Sequence, residues 1–280
     1  MRTNTLVLTT VAMVAFAANS ILCRLALGVG LIDAASFATI RTISGALVLA
    51  GILRLRQKPV TARPDWRSVL ALYLYMVFFA FAYLSLSAGT GALILFGAVQ
   101  LTMFTVALRN GEHFPAVSWA GLALAIGGLV YLVSPGLTAP DPLGAALMTV
   151  AGIAWGAYSL VGRSAAHPTE ATAHNFLYAV PLVVATSLVF LGDFEVTAAG
   201  AGYAMASGGV ASAIGYAIWY TALKGLTGTA AATVQLSVPV IAAVGGVLLL
   251  SEAVTPRLVV ASAATLGGVA LVLTQRNRKR

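Results

Sequence analysis

Three amides, a few hydroxyls and a set of aromatic rings are the side chains of this sequence that could do chemistry, and each falls inside an apolar stretch. Asn19 and Ser20 lie together, Gln100 stands beside Thr102, Ser159 follows Trp155 and Tyr158, and Gln235 precedes Ser237 and Pro239. An amide carries donors and acceptors that a single helix cannot satisfy. In hydrocarbon, Asn19, Gln100 and Gln235 must therefore face either another helix or a wet cavity that holds a ligand. Ser and Thr say less, because they bond back to carbonyls of their own helix. The aromatic candidates are Phe78, Phe79, Tyr83, Trp155, Tyr158 and Tyr216, which line a cavity or pack against lipid and neighbouring helices. Trp66, Tyr73, Trp219 and Tyr220 fall near expected helix ends, where an interfacial belt accounts for them. Pro239 removes a backbone donor and frees a carbonyl in mid-span, which marks a hinge, a substrate contact or a tolerated kink.

This is the chemistry of recognition, not of catalysis. One cysteine, Cys23, and three scattered histidines, His113, His167 and His174, supply neither a nucleophile with its base nor a metal cluster. No catalytic residue, metal or cofactor is expected. No Asp or Glu falls in the middle of an apolar stretch, whereas carboxylate-based proton antiport or a site for a lipophilic cation would need one there. The expected cargo is therefore a neutral or zwitterionic small molecule, and the sequence gives no support for coupling to protons.

The elements that must position these residues are membrane spans. Of 280 residues, 60% are hydrophobic and 9% charged, and the mean hydropathy is +0.95; a soluble domain holds about 25% charged residues. Apolar runs long enough to cross about 30 Å of hydrocarbon fall near 5–27, 35–53, 69–88, 91–108, 117–133, 143–162, 172–192, 198–223, 228–250 and 256–274. The connections are too short for an extramembrane domain. The first span imitates a signal peptide, but Asn19-Ser20 through Arg24 recurs as Tyr158-Ser159 through Arg163, and a cleavable leader would not be repeated in mid-chain.

Lys and Arg are retained on the cytoplasmic side of a membrane, and placing both termini there puts most of them inside. The net charge of +8 then needs no nucleic acid as partner, only the lipid bilayer. Arg257 is the one basic residue expected in an outer loop, and Arg24 and Arg41 lie near the outer ends of spans one and two. The latter two serve recognition of a substrate carboxylate, a pair with Asp33, or snorkelling to headgroups.

Glu112 with Gly127-Gly128 recurs as Glu252 with Gly267-Gly268, so the chain is two versions of one unit, residues 1–136 and 137–280. Five spans per unit is odd, so the second unit enters the membrane inverted. Inverted repeats are a frequent architecture of secondary transporters, with the substrate site near the midplane between the halves. The glutamates and Gly-Gly pairs read as scaffold, since small residues let helices approach closely. An ion channel or an intramembrane enzyme is a weaker reading, for want of a charged ring, a carbonyl filter or a catalytic cluster.

Two five-helix units, Trp155-Gly156-x-x-Ser159 in the first helix of a unit, Leu250-x-Glu252 at the end of a fourth helix and Gly-Gly in the fifth together resemble the EamA family of the drug/metabolite transporter superfamily. The resemblance covers the whole chain. It implies an all-α polytopic protein of ten transmembrane helices, in two inverted five-helix repeats around a central cavity. Helices one, three, four, six, eight and nine would line that cavity, with five and ten as scaffold. Within the superfamily the chain is most similar to YddG-type exporters of aromatic and other amino acids in bacterial inner membranes; a broader drug or metabolite exporter shares the fold. A monomer is the default, since ten helices enclose a path without a partner. The sequence departs from the family at Val99-Gln100, which lacks the helix-breaking proline that Pro239 supplies in the other half, and at Phe16-Ala17 where the second half keeps Trp155-Gly156.

Overall fold

The computed structural model describes residues 3–55, 65–111, 113–136, 138–162, 165, 167–226 and 228–278. Glu112 and Arg163, the repeat partners of Glu252 and Arg24, lie outside these residues, as do Arg2, Arg56, Lys58, Arg63, Lys279 and Arg280. Helix follows helix: α1 (Thr3–Leu27), α2 (Ala34–Leu55), α3 (Trp66–Ala82), α4 (Ala88–Arg109), α5 (Ala116–Val133), α6 (Pro142–Gly162) and α7 (Pro168–Val189). Next, α8 (Ala198–Met205) runs through a π-helical segment, Ala206–Ile214, into α9 (Gly215–Leu223), and α10 (Gly228–Gln235), α11 (Ser237–Leu250) and α12 (Pro256–Arg278) complete the order. Eight helical stretches are long and apolar enough to cross a membrane, and α3 is a shorter apolar helix. The chain is an all-α polytopic membrane protein. Large apolar side chains such as Leu47, Leu188 and Leu248 stand exposed on the outside of the bundle, where lipid replaces water.

Polar residues in the connections set the helix ends. Asp65 accepts from the Arg67 amide at the start of α3, Ser87 from Thr90 at the start of α4, and Thr197 from Gly200 at the start of α8, each satisfying an orphan donor of a first turn. These caps move the third and fourth helices earlier than hydropathy alone suggests, because Tyr83–Ser87 forms the turn between them.

Two interruptions differ in how legible they are. The ninth rod breaks at Leu236, between α10 and α11, three residues before Pro239. The proline has no N–H for the Gln235 carbonyl, and its ring crowds that carbonyl. By contrast α4 runs unbroken through Val99-Gln100. The π segment goes beyond what hydropathy predicts; there Gly208 lies against the Arg41 carbonyl of α2, in a space that a Cβ would fill.

The packing uses small residues. α5 lies along α12, with Gly128 against Thr265 and Gly268 against Ala125, so one glycine of each pair sits in the seam. α6 packs on α3 and α4, and α1 on the π segment, α9 and α11. Short connections gather the ends of alternate helices. One end of the bundle holds Arg54, Arg67, Arg109 and Lys224 with the start of α1 and the end of α12, and the far end holds Asp33, Asp141, Asp193, Glu195 and Glu252.

Candidate functional site

Aromatic rings from four helices meet along the bundle axis. Tyr75 and Phe79 of α3, and Tyr83 at its C-cap, recur every four residues, with centroids 5.3 Å apart for Tyr75–Phe79 and 4.8 Å for Phe79–Tyr83. Trp155 of α6 lies 4.8 Å from Tyr75, 5.4 Å from Tyr158 in a stacked arrangement, and 5.1 Å from Tyr216 of α9. Phe16 of α1 closes the ring edge-on to Tyr216 and Trp219.

Two cavities share this aromatic wall. The larger, about 430 Å³, opens at the end where α1 starts and is lined by the last turns of α6 and α9, with Ala231 and Gln235 of α10 and Lys224 at its mouth. The smaller, about 20 Å³, lies deeper, between Asn19 and Ser20 of α1, Tyr75 and Phe79 of α3, and Ala211 of the π segment. Trp155 and Tyr216 line both. These rings form the partition between the two spaces.

A buried polar network stands behind the small cavity. The Asn19 amide nitrogen donates to the Tyr75 hydroxyl (3.2 Å) and its oxygen accepts from Ser207, so the amide is satisfied from two other helices. Arg41 donates to the same Tyr75 hydroxyl (3.0 Å) and to Ser212 (3.3 and 3.4 Å). Its guanidinium carbon lies 5.1 Å from the Tyr75 ring centre and 4.8 Å from that of Phe79. Nearer the open end, Tyr158 donates to Thr172 (3.4 Å) and accepts from Asn175 (3.5 Å).

At the far end the bundle is closed by charge. Arg24 pairs with Glu252 at 3.4 Å and donates to the carbonyls of Tyr83 and Leu84 at 3.1 and 3.2 Å. The Ala88 amide, first in α4, donates to both Glu252 oxygens at 3.1 and 2.9 Å, and the helix N-terminus favours the carboxylate. Burial raises the pKa of Glu252, and the Ala88 N–H and Arg24 pull it back. Asp33 and Glu195 tie the neighbouring loops: Asp33 accepts from Ser36 and from the Glu195 amide, and an isolated antiparallel bridge joins Ile32 to Val196.

Asn19, Ser20, Phe79, Trp155 and Tyr216 thus come together on the small cavity, and Tyr158, Ser159 and Gln235 join Trp155 and Tyr216 on the large one. Phe78, Tyr83, Gln100 and Pro239 line neither. Gln100 is buried on α4 between the cavity residues Phe96 and Met103, Phe78 packs on the core, Pro239 is buried, and Tyr83 belongs to the far-end closure. Arg24 and Arg41 do not pair with Asp33, whose carboxylate is taken by backbone amides. Arg41 is not at a helix end but fully buried.

Tyr75, Ser207 and Ser212 join the site without standing out in the sequence, and Trp219 and Tyr220 line the large cavity. The four-residue spacing from Phe79 is the signal that points to Tyr75.

The model of the EamA-like transporter family matches residues 142–274. The chain is 50% identical over 273 residues to a protein of Pseudomonas aeruginosa strain PAO1 named "Uncharacterized protein PA1977", covering 97% of this chain and 95% of that one. A crystal structure of another protein superposes with a TM-score of 0.68 at 20% identity, over 95% of this chain and 99% of that one; at that identity the likeness shows the fold alone.

Proposed function

Because the chain belongs to the EamA-like transporter family, a family of membrane transporters and not of enzymes, we propose that it exports amino acids, aromatic and other neutral ones, or similar metabolites by alternating access. One observation carries this reading: Trp155 and Tyr216 line both cavities, so an aromatic path leads from the open end and stops at the closed one. A cavity of about 430 Å³ is in the size range of small-molecule sites.

In this reading residues 1–136 and 137–280 are inverted halves. Helix contacts support it, because they pair off as an exchange of halves requires. α6 meets α3 and α4, α1 meets the π segment with α9 and then α11, and α5 meets its counterpart α12. Exchanging the shapes of the halves would close the large cavity and open the far end. The basic residues at the open end support an orientation of that end toward the cytoplasm of a bacterial inner membrane, with both termini there and the monomer as the working unit.

The test is efflux of labelled tryptophan, phenylalanine and leucine from proteoliposomes holding the full chain. Protein-dependent flux is expected, with Trp155→Ala lowering it about tenfold through lost ring contacts. No flux of any amino acid would overturn the substrate class, and flux confined to unrelated apolar drugs would move the protein to the broader exporters.

A further inference from the structure

Arg41 is a full positive charge with no exposed surface. Its Nε and Nη2 reach Tyr75 and Ser212, and its Nη1 has no hydrogen-bond partner. Among the described residues no carboxylate lies within ion-pair distance of it; its partners are two hydroxyls and two aromatic faces, all neutral. A cation held inside a membrane protein without a counter-ion is strongly disfavoured unless something completes it.

The second observation is the small cavity. Tyr75 and Phe79, the rings under the guanidinium, form its wall, and Ala211, next to Ser212, forms another part. At about 20 Å³ it has room for roughly one water. Cargo therefore enters only when the rings between this cavity and the larger one move apart, and a polar group leading the cargo then meets Asn19, Tyr75 and the guanidinium behind them.

We propose that Arg41 is the anchor for a carboxylate carried by the cargo, which takes the free Nη1 and the Tyr75 hydroxyl beside the Asn19 amide. This rests on the transport reading above and narrows its cargo to carboxylates. A molecule of the same shape that carries only an ammonium group meets a like charge with no acid to offset it.

Three probes share an indole ring and differ at the anchor: tryptophan, indole-3-propionate, which keeps the carboxylate alone, and tryptamine, which keeps the amine alone. Binding to the purified full chain in nanodiscs is expected for the first two and at least about tenfold weaker for tryptamine, the scale of one charge-assisted hydrogen bond. Arg41→Gln is expected to weaken both carboxylates about 10- to 100-fold and to strengthen tryptamine, whose ammonium then meets no like charge, with Arg41→Lys in between for the carboxylates. Should Arg41→Gln fail to fold, Tyr75→Phe removes the second donor and is expected to cost the carboxylates about three- to tenfold; the wild-type comparison stands without any variant. Equal binding of tryptamine, no binding of either carboxylate, or an Arg41→Gln protein that binds carboxylates normally would overturn the anchor. Proteoliposome flux of compounds lacking a carboxylate, measured alongside, would leave the transport reading in place while the anchor falls.

Discussion

The two ends of the bundle are built from the same helices and are closed to opposite degrees. At the end where α1 starts, α6, α9 and α10 surround a cavity of about 430 Å³ whose wall is aromatic and whose mouth carries Lys224. At the far end, Arg24, Glu252 and the first amide of α4 bind one another, and the loops before α2 and α8 are joined by backbone hydrogen bonds. The open end is walled chiefly by aromatic ring contacts. The closed end is held by directed polar bonds that either form or break. A carrier that must exchange which end is open needs its closure to be of the second kind, since a few bonds lost together free a whole face.

The largest effect should come from making the far-end closure permanent. Ile32 and Val196 face each other in an antiparallel bridge flanked by the Asp33-to-Glu195 and Thr197-to-Leu31 hydrogen bonds. Such a pair has Cα atoms about 4.5 Å apart, within the range a disulfide spans, and the native Cys23 is buried and out of competition. Oxidised Ile32→Cys/Val196→Cys protein should retain less than about a tenth of the flux that the reduced protein shows, since a cross-link that forbids opening blocks the cycle. Equal flux before and after reduction would mean that these loops do not separate, and the contrast between the ends would lose its functional meaning.

A smaller shift is expected from weakening the closure. Arg24→Gln removes the charge facing Glu252 and the bonds to the Tyr83 and Leu84 carbonyls. Removing one partner of a fully buried pair costs about 3–5 kcal/mol, but the Arg24 and Glu252 side chains keep 24% and 15% of their surface exposed. The discounted effect is about 1–2 kcal/mol, or a roughly 5- to 30-fold rise in the population with the far end open. Spin labels at Val29 and Val254, both exposed at this end, should report it as a growing long-distance peak. An unchanged distance distribution would show that Arg24 and Glu252 are bystanders.

The contrast between the ends is only half visible in the sequence. Spans can be counted because hydrocarbon demands a fixed length of apolar helix, and the break near Pro239 follows from a missing N–H. Which face of each span looks inward cannot be read, because lipid and protein core are both apolar. Phe78 therefore looks as good a candidate as Phe79, while Tyr75, one turn away on the inward face, does not stand out. Trp219 and Tyr220 fall at an interface by distance along the chain, yet the cavity reaches to that helix end. The partner of Arg24 is hidden for another reason. Glu252 lies in the other half of the chain, and only packing brings the end of α1 to the loop after α11. The π segment leaves no local signal beyond Ser207-Gly208-Gly209, and its role is tertiary, letting α2 and Arg41 approach.

The smallest effect concerns pH, and its sign distinguishes the two ends again. Glu252 faces the Arg24 guanidinium, the Ala88 N–H and, close by, the Tyr83 phenol; burial is the largest influence and raises its pKa, against the pull of the first two. In the open far end the carboxylate would meet water and return to the ordinary range. A proton therefore binds the closed form more tightly than the open one. The closed form gains in full below the ordinary carboxylate pKa, and the gain is lost as pH rises through the raised value. Acid on the far side should shrink the long-distance peak between labels at Val29 and Val254, and Glu252→Gln should abolish that dependence. The opposite sign, a far end that opens on acidification, would mean that the charge attraction to Arg24 outweighs burial, so that the closure is held chiefly by the ion pair and not by the packing around it.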